Sequence, residues 1–168
     1  MTKQNQISSI SRLSIILSVI FIFSVKVFGT VEKLSIEEKT KKASLIVTGT
    51  VKSTQSQWEK VNEGRRIFTY VYIEVEKYIK GSGGKQIEIK VPGGKVGEIT
   101  ERASDTPQFT VGERVVLFLK PDFFRVVGWH QGKYTVKDNE IVGLGVEVNE
   151  FIDMIQRIID KESYFGAI

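Results

Sequence analysis

From Arg66 to Lys77 the chain alternates apolar and polar side chains with a period of two. Ile67, Thr69, Val71, Ile73 and Val75 fall on one face, and Phe68, Tyr70, Tyr72, Glu74 and Glu76 on the other. That is the pattern of a strand with an aliphatic core side and a mixed outer side. Leu45–Val51 (LIVTGTV) is a β-branched run of strand type, and Gly49 within it predicts a bulge or a close crossing of backbones. Asn62-Glu63-Gly64 has turn chemistry and joins these two segments as a hairpin. Gln86–Val91 alternates cleanly, Arg114–Leu119 (RVVLFL) reads as a strand buried on both sides, and Val96–Arg102, Phe124–Gly128 and Lys133–Val136 read as shorter strands.

The period changes to three and four at the two ends. Ser35-Ile36-Glu37-Glu38 predicts a capped short helix running to about Ala43. Phe151, Ile152, Ile155, Ile158 and Ile159 predict an amphipathic helix over 149–161 with Asn149 as its cap. Short strands joined by turns, without intervening helices, predict an antiparallel sheet closed into a small β-barrel of the OB type. The expected organisation is one such domain over residues 30–168, with the C-terminal helix laid against it.

The first 29 residues do not belong to that pattern. Lys3 and Arg12 precede an apolar run, Leu13–Val25, and Val27-Phe28-Gly29 offers a small-residue cleavage site. This is the layout of a signal peptide, so the protein is expected to be exported, periplasmic or extracellular. The alternative is an uncleaved anchor over residues 13–28. A spanning helix needs about 20 apolar residues, and the run reaches that only by enclosing Lys26.

Of the 24 Lys and Arg, three lie in this leader, which leaves 21 bases against 20 acids and a net charge of +1. Lys and Glu interleave, as at Glu74, Glu76, Lys77 and Lys80, so no basic stripe is evident and no nucleic-acid partner is expected. The chain has no cysteine and one histidine, His130. Thiol chemistry and a dedicated zinc site are therefore not expected, and no cofactor is called for.

Three patterns invite chemistry. Pro92-Gly93-Gly94-Lys95-Val96-Gly97 looks like a phosphate loop, but strand-like Glu98-Ile99-Thr100 follows where a helix should begin. His130 in Trp129-His130-Gln131-Gly132 lacks an accompanying nucleophile motif, and the carboxylates Glu98, Glu101 and Asp105 are scattered. The aromatic face Phe68, Tyr70, Tyr72 is expected to pack beneath another element. The ligand-binding positions expected are Pro92, Gly93, Gly94, Gly97 and Arg102 in one loop, and Trp129, Gln131 and Gly132 in another. Glycines so close together imply a required backbone shape, and Arg102 offers a planar fork to a carboxylate.

Leu34-Ser35-Ile36-Glu37-Glu38, the run Ala43–Val51, Val91-Pro92-Gly93-Gly94 and Gln131-Gly132-Lys133-Tyr134 resemble, in order and spacing, a family of exported bacterial proteins of unknown function. The resemblance spans about residues 34–136 and implies export without implying an activity. A weaker architectural similarity is to netrin-like modules and tissue inhibitors of metalloproteinases. It implies an OB-type barrel, but their zinc-blocking cysteine has no counterpart here.

The function expected from all this is an exported, non-catalytic binding or interaction module, in its narrower version a partner or inhibitor of a secreted protease. The alternative is a hydrolase of an envelope polymer using His130 or loop carboxylates. N-terminal sequencing of exported material is expected to begin near Thr30; a chain that keeps Met1 in the membrane fraction establishes the anchor instead.

Overall fold

The computed structural model describes residues 33–121 and 125–165. The expected signal peptide, its expected cleavage site and the membrane-anchor alternative lie outside these residues, as does Phe124. Among the described residues no helix is long and apolar enough to cross a membrane.

The elements in chain order are helix α1 (Ile36–Lys42), strands β1 (Leu45–Val61), β2 (Gly64–Lys80), β3 (Gln86–Pro92), β4 (Gly94–Val96), β5 (Ile99–Glu101), β6 (Arg114–Leu119), β7 (Lys133–Lys137), β8 (Glu140–Ile141) and β9 (Val146–Glu147), and helix α2 (Val148–Phe165). Seven strands form one antiparallel sheet in the order β3-β2-β1-β6-β7-β8-β9, and β4 pairs only with β5. The sheet is not a closed barrel. Its edge strands β3 and β9 share no ladder, because the chain after β7 turns outward into β8 and β9 rather than back to β3.

β1 and β2 are far longer than their apolar runs suggest, at 17 residues each. Their pairing slips at three places, where Lys52 on β1 and Glu76 and Ile79 on β2 have no partner. Each is a bulge, and a bulge both bends a ribbon and exchanges its two faces beyond that point. Ile73 and Ile79 show the exchange. Spaced by an even number, they would share a face in a regular strand, yet they lie in two different cores. Gly49 sits at one slip, where an added Cβ would come within 2.7 Å of Ile73 Cγ2 and collide with the Glu74 carbonyl.

The two cores lie on opposite faces of the sheet. On the inner, concave face Val47, Val51, Val71, Ile73, Ile89, Val115 and Leu117 pack together. On the other face Ile46, Val116 and Phe118 meet Phe151, Ile152 and Ile155 of α2. β6 divides strictly between the two, which explains its unbroken apolar sequence. Phe118, Tyr134 and Phe151 form a ring cluster with centroids 4.9–6.4 Å apart. Each of the aliphatic α2 side chains buried here contributes roughly 1.5–3 kcal/mol.

α1 has the capping box its sequence predicts. Ser35 Oγ accepts from the Glu38 amide at 3.1 Å, and the Glu38 carboxylate accepts from the Ser35 amide at 2.7 Å. α2 begins at Val148, so Asn149 lies inside the helix rather than capping it. The expected strand Val96–Arg102 is instead the β4–β5 hairpin, turned at Gly97, whose φ is +60°. The expected strand Phe124–Gly128 reduces to a single bridge between Val126 and Leu119, followed by a turn. The β7–β8 and β8–β9 hairpins were not legible; the first turns at Asp138-Asn139, with φ of +50° and +65°, and the second turns through Gly143 and Gly145, with φ of +84° and +63°.

Phe68, Tyr70 and Tyr72 remain half-exposed, with no helix over them, since both helices cover the other core. Lys90 Nζ stands 4.2 Å above the Phe68 ring, and Tyr70 Oη donates to Glu59 at 2.6 Å.

Val71 is fully buried at the centre of the inner core. Val71→Asp therefore places an unpaired charge there at a cost of several kcal/mol, against a total stability of about 5–15 kcal/mol. Circular dichroism is expected to show no cooperative melting transition for this variant; a soluble protein with the parental melting curve means that the face assignment is inverted.

Candidate functional site

The curled sheet brings the free edge of β3 opposite the segment 125–129, where Val91 and Val126 meet in the inner core. Among the described residues no strand ladder joins the two edges, and a cleft opens along the seam between them. A cleft of about 560 Å³ lies at the mouth. Its floor is Thr54, Thr69 and Val71, one side is Pro92, Gly93 and Gly94, and the other is the stretch from Thr100 to Phe109.

The backbone of the Pro-Gly-Gly segment is shaped by the strands beneath it. Pro92 ends the β2–β3 ladder opposite Phe68, at an edge where its missing N–H costs nothing. Gly93 then donates its N–H to the Ile67 carbonyl at 2.8 Å, and its own carbonyl accepts from Thr69 Oγ1 at 2.7 Å. Gly94, at φ +138°, lies directly on Ser56 and Thr69, whose hydroxyls bond to each other at 2.9 Å. A Cβ at position 94 would collide with both hydroxyl oxygens. Close approach of backbone to strand is the reason for this glycine.

The Glu101 carboxylate belongs to the structure. One oxygen accepts from Arg66 Nε and the other from the Ile67 amide at 2.8 Å. The amide, then the guanidinium, hold its carboxyl below the usual carboxylate range. Lys95 and Arg102 stand exposed at the rim of the same cleft.

The opposite wall is fixed by a buried ion pair. Lys133 Nζ donates to Glu113 Oε1 at 2.5 Å, with side chains 12% and 13% exposed. Thr135 Oγ1 donates to the same oxygen, and the Thr110 amide donates to Oε2 at 3.1 Å. The Lys133 ammonium also stands 5.2 Å over the Phe109 ring. Burial pushes the Glu113 carboxyl up, but the bonds from Lys133, Thr135 and Thr110 outweigh it and hold the group below its ordinary value. This pair pins the segment carrying Phe109 to β7.

The expected binding positions separate into four groups. Pro92, Gly93, Gly94 and Arg102 line the cleft. Trp129 lines a neighbouring hollow that Pro92 also lines. Gln131 and Gly132 serve the fold. The Gln131 side-chain oxygen accepts from the Leu34 amide at 2.8 Å, and its carbonyl accepts from Lys39 Nζ at 3.2 Å. Gly132 is packed against backbone, with the Val127 carbonyl 2.7 Å from where a Cβ would stand. Gly97 is exposed at the β4–β5 tip and outside the cleft lining, and His130 is exposed in its turn, also outside it.

Sequence reasoning missed Thr54, Thr69, Thr100, Thr106 and Lys95. Nothing in their local pattern marks them. Thr54 faces the cleft only because the bulge at Lys52 reverses the parity of β1. It also missed Lys39, an apparent surface lysine of α1 that is 5% exposed and donates to Tyr134 Oη at 2.5 Å. Burial pushes the Lys39 ammonium down and Tyr134 up to about 12.

Comparison with known proteins adds no relative: no protein-family model and no curated protein matches this chain.

Because Glu113 has a lowered pKa in the folded state, its contribution is fully present above the ordinary Glu pKa of about 4.3 and is lost as pH falls through the lower folded value. Glu113→Gln is expected to cost about 1–3 kcal/mol at pH 7. Urea unfolding should show the gap between variant and parent closing below pH 4; a gap that stays constant with pH refutes the assignment.

Proposed function

We propose that this protein is an exported, non-catalytic binding module whose ligand occupies the seam cleft. The observation that carries the reading is the composition of that cleft: threonine side chains, the Pro92-Gly93-Gly94 backbone and two exposed rim cations around about 560 Å³, on a floor of β1 and β2. Polar groups converging on a concave surface are the ordinary form of a recognition site. The seam also supports an OB-type sheet that is partly open rather than closed, with ligand held by loops at its mouth.

The hydrolase reading finds less support. A general acid–base pair needs two groups able to reach one substrate. His130 is outside the cleft, and Glu101 inside it is held by Arg66 and the Ile67 amide. The export expected from the leader, together with the family resemblance of residues 34–136, makes envelope material the natural source of a ligand.

Thr100 is an exposed position on β5 in the cleft wall. Thr100→Trp fills the cleft without touching the core. Co-sedimentation of the full chain with isolated cell-envelope material is expected to weaken about tenfold in this variant, equivalent to roughly 1.4 kcal/mol. His130→Ala is expected to leave it unchanged. Turnover of an envelope polymer that disappears in His130→Ala establishes the hydrolase instead.

A further inference from the structure

The β4–β5 hairpin carries a row of side chains that the fold itself does not use. Gly94 and Glu101 stand opposite one another in its register, and both face the β1–β2 strands beneath. Gly94 lies against Ser56 and Thr69, and Glu101 accepts from Arg66 and the Ile67 amide. Strand alternation therefore turns Lys95 and its opposite number Thr100 to the other face. Gly93 continues the approach past the strand end, against the backbone between Glu101 and Ala103, which places Arg102 on the same face as Thr100. Lys95, Thr100 and Arg102 are all exposed, and all three line the cleft.

Directly opposed residues such as Lys95 and Thr100 hold their Cβ atoms roughly 5 Å apart, and Arg102 follows Thr100 by about 7 Å along the strand. An ammonium and a guanidinium on long stems reach a common point from these positions, with a hydroxyl between them. Among the described residues Lys95 and Arg102 have no carboxylate partner, unlike Lys52, Arg66 and Arg114, and the Thr100 hydroxyl makes no hydrogen bond. Glu101, the one acid among the described lining residues, is already held by Arg66 and the Ile67 amide and does not answer these two cations. Glu98 and Asp105 are exposed and stand outside the lining.

Resting on the binding reading above, we infer that the row Lys95, Thr100 and Arg102 holds the carboxylate or phosphate of an acidic sugar residue bound in the cleft. The Arg102 fork matches two oxygens of either anion, and the Lys95 ammonium supplies a second positive charge beside it. The sugar follows from the neutral polar groups that share the lining. The Thr54 hydroxyl makes no hydrogen bond among the described residues, and the Gln108 amide donates to the Thr106 carbonyl at 3.4 Å while its oxygen accepts nothing among them. Such groups suit ligand hydroxyls close to the anion. A bare inorganic anion leaves them unused, and about 560 Å³ is room for a sugar residue with its neighbours.

The test is co-sedimentation of the full chain, purified in mild detergent, with cell-envelope material that has been protease-digested and washed with detergent. Retention is expected to fall as salt rises. The double change K95Q/R102Q is expected to weaken it about tenfold or more, with a parental melting curve. K42Q/K137Q removes the same charge from exposed positions on α1 and β7, outside the cleft, and is expected to leave retention unchanged. Equal loss in the two double variants means a diffuse attraction and overturns the inference. Amidating the envelope carboxylates, or stripping its phosphates with hydrogen fluoride, is expected to abolish retention in one of the two arms and so identify the anion. Retention that survives both treatments overturns the role of the row. Retention on undigested material that is lost after proteolysis overturns the sugar. If Thr100→Trp weakens retention and K95Q/R102Q does not, the anion inference falls and the cleft reading stands. If neither variant weakens it, both fall.

Discussion

The structure depends on one requirement: the β1–β2 hairpin has to serve two cores on opposite faces of the same sheet. A regular strand offers one face per side and cannot redistribute its residues along its length. The bulges at Lys52, Glu76 and Ile79 remove that restriction. Beyond Glu76 the faces exchange, so Tyr78 joins the inner core while Ile79 reaches the core under α2. Beyond Lys52 they exchange on β1, so Thr54 and Ser56 look into the concave side. The same bulges bend the ribbon, and the bend sets β3 opposite the 125–129 segment and leaves the seam that forms the cleft.

Polar ties then fix what the apolar cores leave loose. Glu113–Lys133 holds the wall that carries Phe109, and Glu101 with Arg66 holds the β5 side. On the other side of the sheet α1 is tied by Lys39 to Tyr134 and to the Gln131 carbonyl, and by Lys80 Nζ to the Thr40 carbonyl at 2.7 Å. Among the described residues the Lys39 ammonium is held by a phenol and a carbonyl, and a buried ammonium so held is costly, so Lys39 makes the seating of α1 specific rather than strong. The turn from Trp129 to Gly132 works in both directions. Gln131 meets Leu34 and Lys39, and Trp129 lines the hollow beside the cleft.

Much of this architecture was legible residue by residue. The capping box at Ser35, the hairpin turn ending at Gly64, the aliphatic face around Val71 and the doubly buried β6 follow from local rules that tertiary contact does not disturb. The cleft was legible only in part. Pro92, Gly93, Gly94 and Arg102 announced themselves, since glycine and proline carry backbone information. Thr54, Thr69, Thr100 and Lys95 did not, because a threonine or lysine on a strand reads the same whether it faces a cleft or open water.

The sequence by itself therefore determined the antiparallel sheet, the two flanking helices and the leader pattern at the N-terminus. Periodicity, capping and turn chemistry act over a few residues and are written in the chain. The tertiary structure alone decided the open seam and the split of the expected site between Trp129 and Gln131. Those outcomes depend on bulges, whose position is set by the balance of two cores, and on contacts between segments far apart in the chain, which no local pattern encodes.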